Sequence, residues 1–566
     1  MSALLLVLLC PAELLLFLLP GFATLTVASG KRIISGTHAL VATIAISAAL
    51  GYLAFWIYLW NKTAGQVFSY VAMIAAVALL ITNRKKCRFL IARHDFILPL
   101  VYTLCLSLFY LSLLYLFVNP IKAGVDVANV RFFPETRPGD NIIPFIFAQR
   151  IYDRAPIRPF CCGDWLSSDR PPLQAGIFLL QRPLRVAGNT GLQYQLLGTL
   201  LQCLWVCAIW TLLRTIGIGR TRVDQTIGLL AFSGFLFYNS AYVWPKLLAA
   251  TFIVFVYSIL SRAALDKRPL TGSETVLGSL CFVLALLAHP GSVFSAPAVL
   301  IFLIWRRNLL SLRDAAAALV LIGVFLVPWT LYQKFYDPPG DRLLKMHLAG
   351  IMEPDSRNIV QALRDSYSRL SAKEIVEFKW ANVETVLGVA PWRGMRVSQR
   401  EYIPEAIGIL NLGWFVAAIQ WVRRRRTAAL PYTGYMIAAA LLNLLVWCVI
   451  MFGPAQTMTE HGSYADILLL SLASIAFLLA APKIVALLVM ALQALNLIFV
   501  WVLFRPGSFT LPSRAVVPPS LQGPMFALAL SLGAAGLWYF GKSYFRPDSA
   551  AAIADPLFEQ KAQQSF

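Results

Sequence analysis

Long apolar runs broken by short polar stretches recur along nearly the whole chain. Apolar segments fall near 2–28, 38–60, 65–82, 96–118, 190–214, 224–241, 243–262, 274–289, 291–306, 313–331, 406–421, 432–453, 464–481, 483–503 and 524–541. A helix needs about 20 mostly apolar residues to cross a bilayer. The pattern therefore predicts an all-α polytopic membrane protein with about fifteen spans. The first run lacks a basic leader and a small-residue cleavage site, so it reads as a retained helix.

The polar interruptions are of two kinds. Short basic ones are "GKR" at 30–32, "NRKKCRFLIAR" at 83–93, "RTIGIGRTR" at 214–222, "DKR" at 266–268, "RRNLLSLR" at 306–313 and "RRRR" at 423–426. Short basic loops face the cytoplasm. With all of them inside, the alternation closes: the N-terminus lies outside and the tail, 542–566, inside. Two long connections, about 119–189 and 332–405, then lie on the outer face.

Composition fits this picture. Hydrophobic residues make up 59% of the chain, charged residues 13%, and mean hydropathy is +0.69. A soluble domain carries about twice that charge. The net charge of +21 sits mainly in the short loops, so it reads as topology and attraction to anionic lipid rather than nucleic-acid binding. The nine cysteines are scattered, mostly in apolar runs, and show no metal-ligand spacing; only Cys161 and Cys162 share a polar loop. Span centres are almost free of ionisable residues, with Glu13 the clearest exception. A transporter is expected to place such residues near the bilayer midplane.

Polar chemistry is thereby concentrated in the two long loops and three outer turns: Tyr242 to Lys246, His289-Pro290-Gly291, and "TMTEHGSYAD" at 457–466. In the first loop, "GDNIIPFIFAQRIYD" sets Ile142, Ile143, Phe145, Ile146 and Ile151 beside polar Gln149, Arg150 and Asp153. This pattern suits a short helix lying in the membrane interface. Asp140 at its start has two readings, a helix N-cap or a base at the membrane surface. Further on, "GDWLSSDRPPLQ" places an acid, a base and two prolines just before the chain becomes apolar again. The prolines fix a turn and start the next helix rigidly, presenting Arg170 at the surface with a planar fork suited to phosphate.

Together these residues resemble the outer-face loop of GT-C glycosyltransferases, in particular the branch of bacterial lipid A aminoarabinose transferases and protein O-mannosyltransferases. That loop typically reads Asp-Glu, then Gly-Asp-Trp, then Asp/Glu-Lys-Pro-Pro-Leu. Here it reads Asp140-Asn141, Gly163-Asp164-Trp165 and Asp169-Arg170-Pro171-Pro172-Leu173. The turn "LLAHPGSVFSAPAVLIFLIWRR" and the span end "VFLVPWTLYQ" resemble later family features, and the likeness covers about 96–335. The chain departs from the pattern at Asn141, Arg170 and His289, which stand where the family has Glu, Lys and Lys. Three spans precede the one that feeds the loop, whereas the family typically has one.

The resemblance implies a GT-C-like transmembrane bundle in a bacterial inner membrane, with its active site on the periplasmic face. Its parts would be N-terminal helices at 1–95, a core at 96–335, a second outer loop at 336–405, C-terminal helices at 406–541 and the tail. The activity implied is transfer of a sugar from a polyprenyl-phosphate donor to a lipid, glycan or protein acceptor. Asp140 is then the general base, with Asp126 a rival. Arg170 binds the donor phosphate, with Lys246 and His289 as further candidates, and Asp169 orients Arg170. Trp165, Glu460 and His461 line the substrate path. Inverting transfer needs no metal or other cofactor in principle, although some relatives of the wider fold use divalent cations. Two other readings stay open: a flippase for lipid-linked glycans, and a non-catalytic membrane subunit on a degenerate transferase fold.

Overall fold

The computed structural model describes residues 2–28, 35–132, 139–160, 165–386, 430–457, 462–498, 502 and 522–545. These residues are helical, with no strand among them. Nine of their helices are long and apolar enough to cross a membrane, and the chain is a membrane-embedded helical protein. Of the about fifteen expected spans, five form shorter apolar elements. The predicted 224–241 span breaks at Phe232 and Ser233 into Arg220–Ala231 and Gly234–Ala241. The predicted 291–306 span opens as a 3-10 turn, Pro290–Ser295, ahead of Ala296–Trp305. Gly272–Ala288, Tyr464–Ala480 and Lys483–Asn496 are apolar helices of 17, 17 and 14 residues, shorter than the nine. The segment 406–421 lies outside the described residues.

Helices Thr190–Cys203, Trp205–Thr215 and Lys246–Leu265 form the centre and are almost wholly buried. Around them pack Ser2–Ala28, Gly36–Trp60 and His94–Leu114. Lys62–Thr82, Leu312–Leu331 and Gly523–Ser543 lie at the rim, with Ile74, Leu319 and Leu530 exposed as a lipid-facing surface requires. Small residues permit the closest crossing. A side chain on Gly176 would meet the Gly51 carbonyl oxygen at 2.3 Å, so Leu173–Gln181 lies directly on Gly36–Trp60.

The two long connections meet at one end of this bundle. A helix forms at the expected place, Ile143–Asp153, burying Ile143, Phe147 and Ile151 against the protein and exposing Asp153. In the second connection, "SRNIVQALRDSYSRL" forms the helix Ile359–Tyr367. Asn358 caps it by accepting from the Gln361 N–H at 2.9 Å.

Candidate functional site

The site begins at a strained turn. Between Gly234–Ala241 and Lys246–Leu265 the chain reverses through Val243, which is held at φ 53°, a conformation costly for a β-branched residue. Gln174 steadies it, donating to the Val243 carbonyl at 3.0 Å and to the Tyr194 hydroxyl at 2.7 Å. Gln202 donates to Gln174 at 3.1 Å and accepts from the Leu248 N–H at 3.0 Å, satisfying an orphan donor of the new helix. The turn thus carries Tyr242 and Trp244 to the end of the bundle where the long loops meet.

Asp140 lies there. Tyr242 donates to its Oδ1 at 3.0 Å, and Arg170 Nη2 lies 3.4 Å from its Oδ2. The N-cap reading of Asp140 fails, because the helix starts after Ile142 and has no side-chain cap. The carboxylate is turned into the protein, where it and Arg170 are both buried. Two lone-pair directions remain for a substrate proton once Tyr242 and Arg170 are counted.

Arg170 is presented as the two prolines require. It is extended, at φ −124° and ψ 127°, and Leu173–Gln181 starts immediately after Pro172. The guanidinium stacks over Trp165 and Trp244, with ring centroids 5.2 and 5.7 Å away. Burial pulls its pKa down, while Asp140 and Asp169 act in the other direction. Asp169 does not hydrogen-bond Arg170, contrary to the expected orienting role. Its Oδ2 accepts from Arg342 Nη1 at 3.0 Å and from the Leu166 N–H at 2.8 Å. Arg342 comes from the second connection and stacks on the same Trp165, 4.9 Å from the ring centroid. Trp165 is therefore shared by two guanidiniums.

Lys246 opens its helix but does not reach out to the interface. It is buried, with Nζ 3.4 Å from the centre of the Trp244 ring. His289 follows Gly272–Ala288, and its Nδ1 accepts from the Gly291 N–H at 3.2 Å, which leaves Nε2 to carry the proton of the neutral ring. Lys246, His289, Ser292 and Trp447 line a cavity of about 20 Å³, room for about one water. Burial, then Lys246, Arg170 and His347, push His289 well below the usual imidazole range. His347, in the helix Arg342–Ala349 of the second connection, is pushed down to about 3 by the surrounding protein, Arg170 and Lys246. Burial and the nearby cations thus disfavour a positive charge on either ring.

A second knot joins the loops. Asp337 accepts from Arg158 Nε at 2.6 Å, Ser167 Oγ at 2.6 Å and the Ser168 N–H at 2.9 Å. Burial opposes the charge on Asp337, but these donors hold it below the carboxylate range.

The structure thus brings together Asp140, Arg170, Trp165, Asp169, Lys246 and His289. Asp126 is exposed in the turn Gly124–Asp126 and takes no part in this cluster. Glu460, His461, Cys161, Cys162, Gly163 and Asp164 lie outside the described residues. Sequence reading missed Tyr242, Trp244, Asp337, Arg342 and His347. The run "DPPGDRLLKMH" sets a proline turn ahead of an acid and basic residues, a polar cluster in the second connection that carried a usable signal for Arg342. Among the described residues no group of three or more His, Cys, Asp or Glu is placed to hold a metal. No family model, curated protein or solved structure matches the chain.

Proposed function

We propose that the chain is a GT-C-type glycosyltransferase acting at the membrane surface on a sugar linked to a polyprenyl phosphate. The observation that carries this reading is the buried carboxylate of Asp140, 3.4 Å from Arg170, whose guanidinium shares the Trp244 ring with Lys246. A sugar on a lipid phosphate has an electrophilic anomeric carbon and a phosphate leaving group. Asp140 takes the proton of the attacking acceptor group. Arg170 offsets the charge that develops on the departing phosphate, and Lys246 adds a second cation. Trp165 and Trp244 hold the Arg170 guanidinium in one plane, so its reorganisation cost is small when that charge appears. His289 and His347 supply hydrogen bonds without further positive charge.

Asp140 and Arg170 are buried, so donor entry requires a covering segment to move. The second connection, tied on by Arg342 and Asp337, is the segment we assign to that role. The acceptor is a lipid, glycan or protein, and the location is a bacterial inner membrane with the site on its outer face.

The test is transfer of labelled sugar from polyprenyl-phosphate donors in membranes, comparing wild type with Asp140→Asn and Arg170→Ala at matched abundance. Activity in the wild type and its loss in both variants supports the reading. No transfer by wild type, together with inner-leaflet accumulation of lipid-linked glycan in cells lacking the protein, replaces it with a flippase.

A further inference from the structure

A second polar cavity lies at the far end of Lys246–Leu265, about 24 Å from Lys246 by helix rise. Its volume is about 380 Å³, in the range of small-molecule sites. It opens between the first turn of Gly36–Trp60, the last turns of Trp205–Thr215 and Lys246–Leu265, and the start of Gly272–Ala288. Ser35, Thr37, Thr215, Ser258 and Thr271 contribute hydroxyl-bearing side chains to the wall, with Ser258 donating to the Val254 carbonyl and Thr271 to Glu274. Thr211 is buried and its hydroxyl has no hydrogen-bond partner in the protein. His38 also lines the cavity and is half-buried.

The charged groups among the described lining residues form a linear chain from Arg262 to Glu274. Arg262 Nε donates to Asp266 at 3.0 Å, and Arg268 lies 3.4 Å from the same carboxylate. Arg268 also grips Glu274 with two bonds of 2.6 and 2.7 Å. Two guanidiniums and two carboxylates cancel, so an ion gains little here without breaking a pair. An apolar ligand would strip water from the hydroxyl wall and return nothing. A neutral ligand rich in hydroxyls meets donors and acceptors alike, and Val41 and Ile259 offer apolar contact for its C–H face.

We propose that this cavity binds a neutral polyhydroxylated ligand, either a free sugar or polyol or the glycosyl headgroup of a membrane lipid. The site is separate from the Asp140 cluster and does not depend on the transferase reading.

The experiment uses the full chain in phosphatidylcholine nanodiscs and follows carbethoxylation of His38 by peptide mass spectrometry, with His94 as internal reference. The probes are glucose, myo-inositol and nanodiscs doped with monoglucosyl diacylglycerol, with inorganic phosphate as the charged comparison. Modification of His38 is expected to slow about tenfold at about ten times the probe's Kd, with His94 unchanged. Protection by the soluble probes identifies a free sugar or polyol, and protection by the doped bilayer alone identifies a lipid headgroup. Thr215→Val, close in shape and at the cavity wall, should weaken the protection, and the wild-type measurement stands even if that variant folds poorly. No protection by any neutral probe, protection by phosphate alone, or full protection retained in Thr215→Val would overturn the proposal.

Discussion

Arg342 reaches across 173 residues to place its Nη1 3.0 Å from Asp169 Oδ2, and both side chains are buried. This one ion pair ties the second long connection to the segment that presents Arg170. Arg170 and Arg342 also share the Trp165 ring, so the position of the candidate phosphate-binding residue depends on a loop distant in sequence.

Breaking that pair from one side should therefore be worse than removing it whole. Arg342→Gln or Asp169→Asn alone leaves a buried charge uncompensated, at a cost of about 3–5 kcal/mol. The double variant should recover part of this, with a coupling of about 0.5–3 kcal/mol. Thermal unfolding of the four proteins in one detergent measures it; additive effects would show that the pair does not join the loops.

Asp140→Asn should lower sugar transfer by about 10²–10⁴-fold, the usual contribution of a general base. The loss should appear in kcat while donor KM changes little, because Arg170, Lys246 and Trp165 remain. Equal activity in variant and wild type would remove Asp140 from the chemistry. Asp126→Asn should leave transfer unchanged, since that residue is exposed and apart from the cluster.

Acid should loosen the site through its histidines. His347 has a folded pKa of about 3 against an ordinary value of 6.5. The unfolded chain therefore binds the extra proton first as pH falls, and the stability from the neutral ring is present above about 6.5 and lost progressively between about 6.5 and about 3. His347→Gln should flatten this part of the stability–pH curve. An unchanged slope would show that the ring is not held neutral by its surroundings.

Gly176→Ala should disturb the bundle directly, since its methyl group would meet the Gly51 carbonyl oxygen at 2.3 Å. Overpacking of this kind costs about 1–3 kcal/mol. The expected result is a lower unfolding midpoint, whereas Gly323→Ala, in a helix with open space around it, should not lower it. Equal midpoints for wild type and Gly176→Ala would mean that the crossing is looser than described.

The sequence by itself determined the solvent, the helical class and the broad division into spans and two polar connections. Those follow from local quantities, because twenty apolar residues must form a helix in lipid wherever they occur. The helix Ile143–Asp153 was legible from its own local pattern, and the prolines that set Arg170 in place acted within three residues. Helix length was less legible: hydropathy does not register the break at Phe232 and Ser233 or the extent of the 3-10 turn Pro290–Ser295, so the helices there are shorter than the apolar runs. Only the tertiary structure decided the partners. Asp140 has the local look of a cap, yet it meets Tyr242, 102 residues away, through a strained turn at Val243. Asp169 adjoins Arg170 in sequence and bonds Arg342 instead. A side chain's hydrogen bonds depend on which elements packing brings together, and in this protein both loops converge on one end of the bundle.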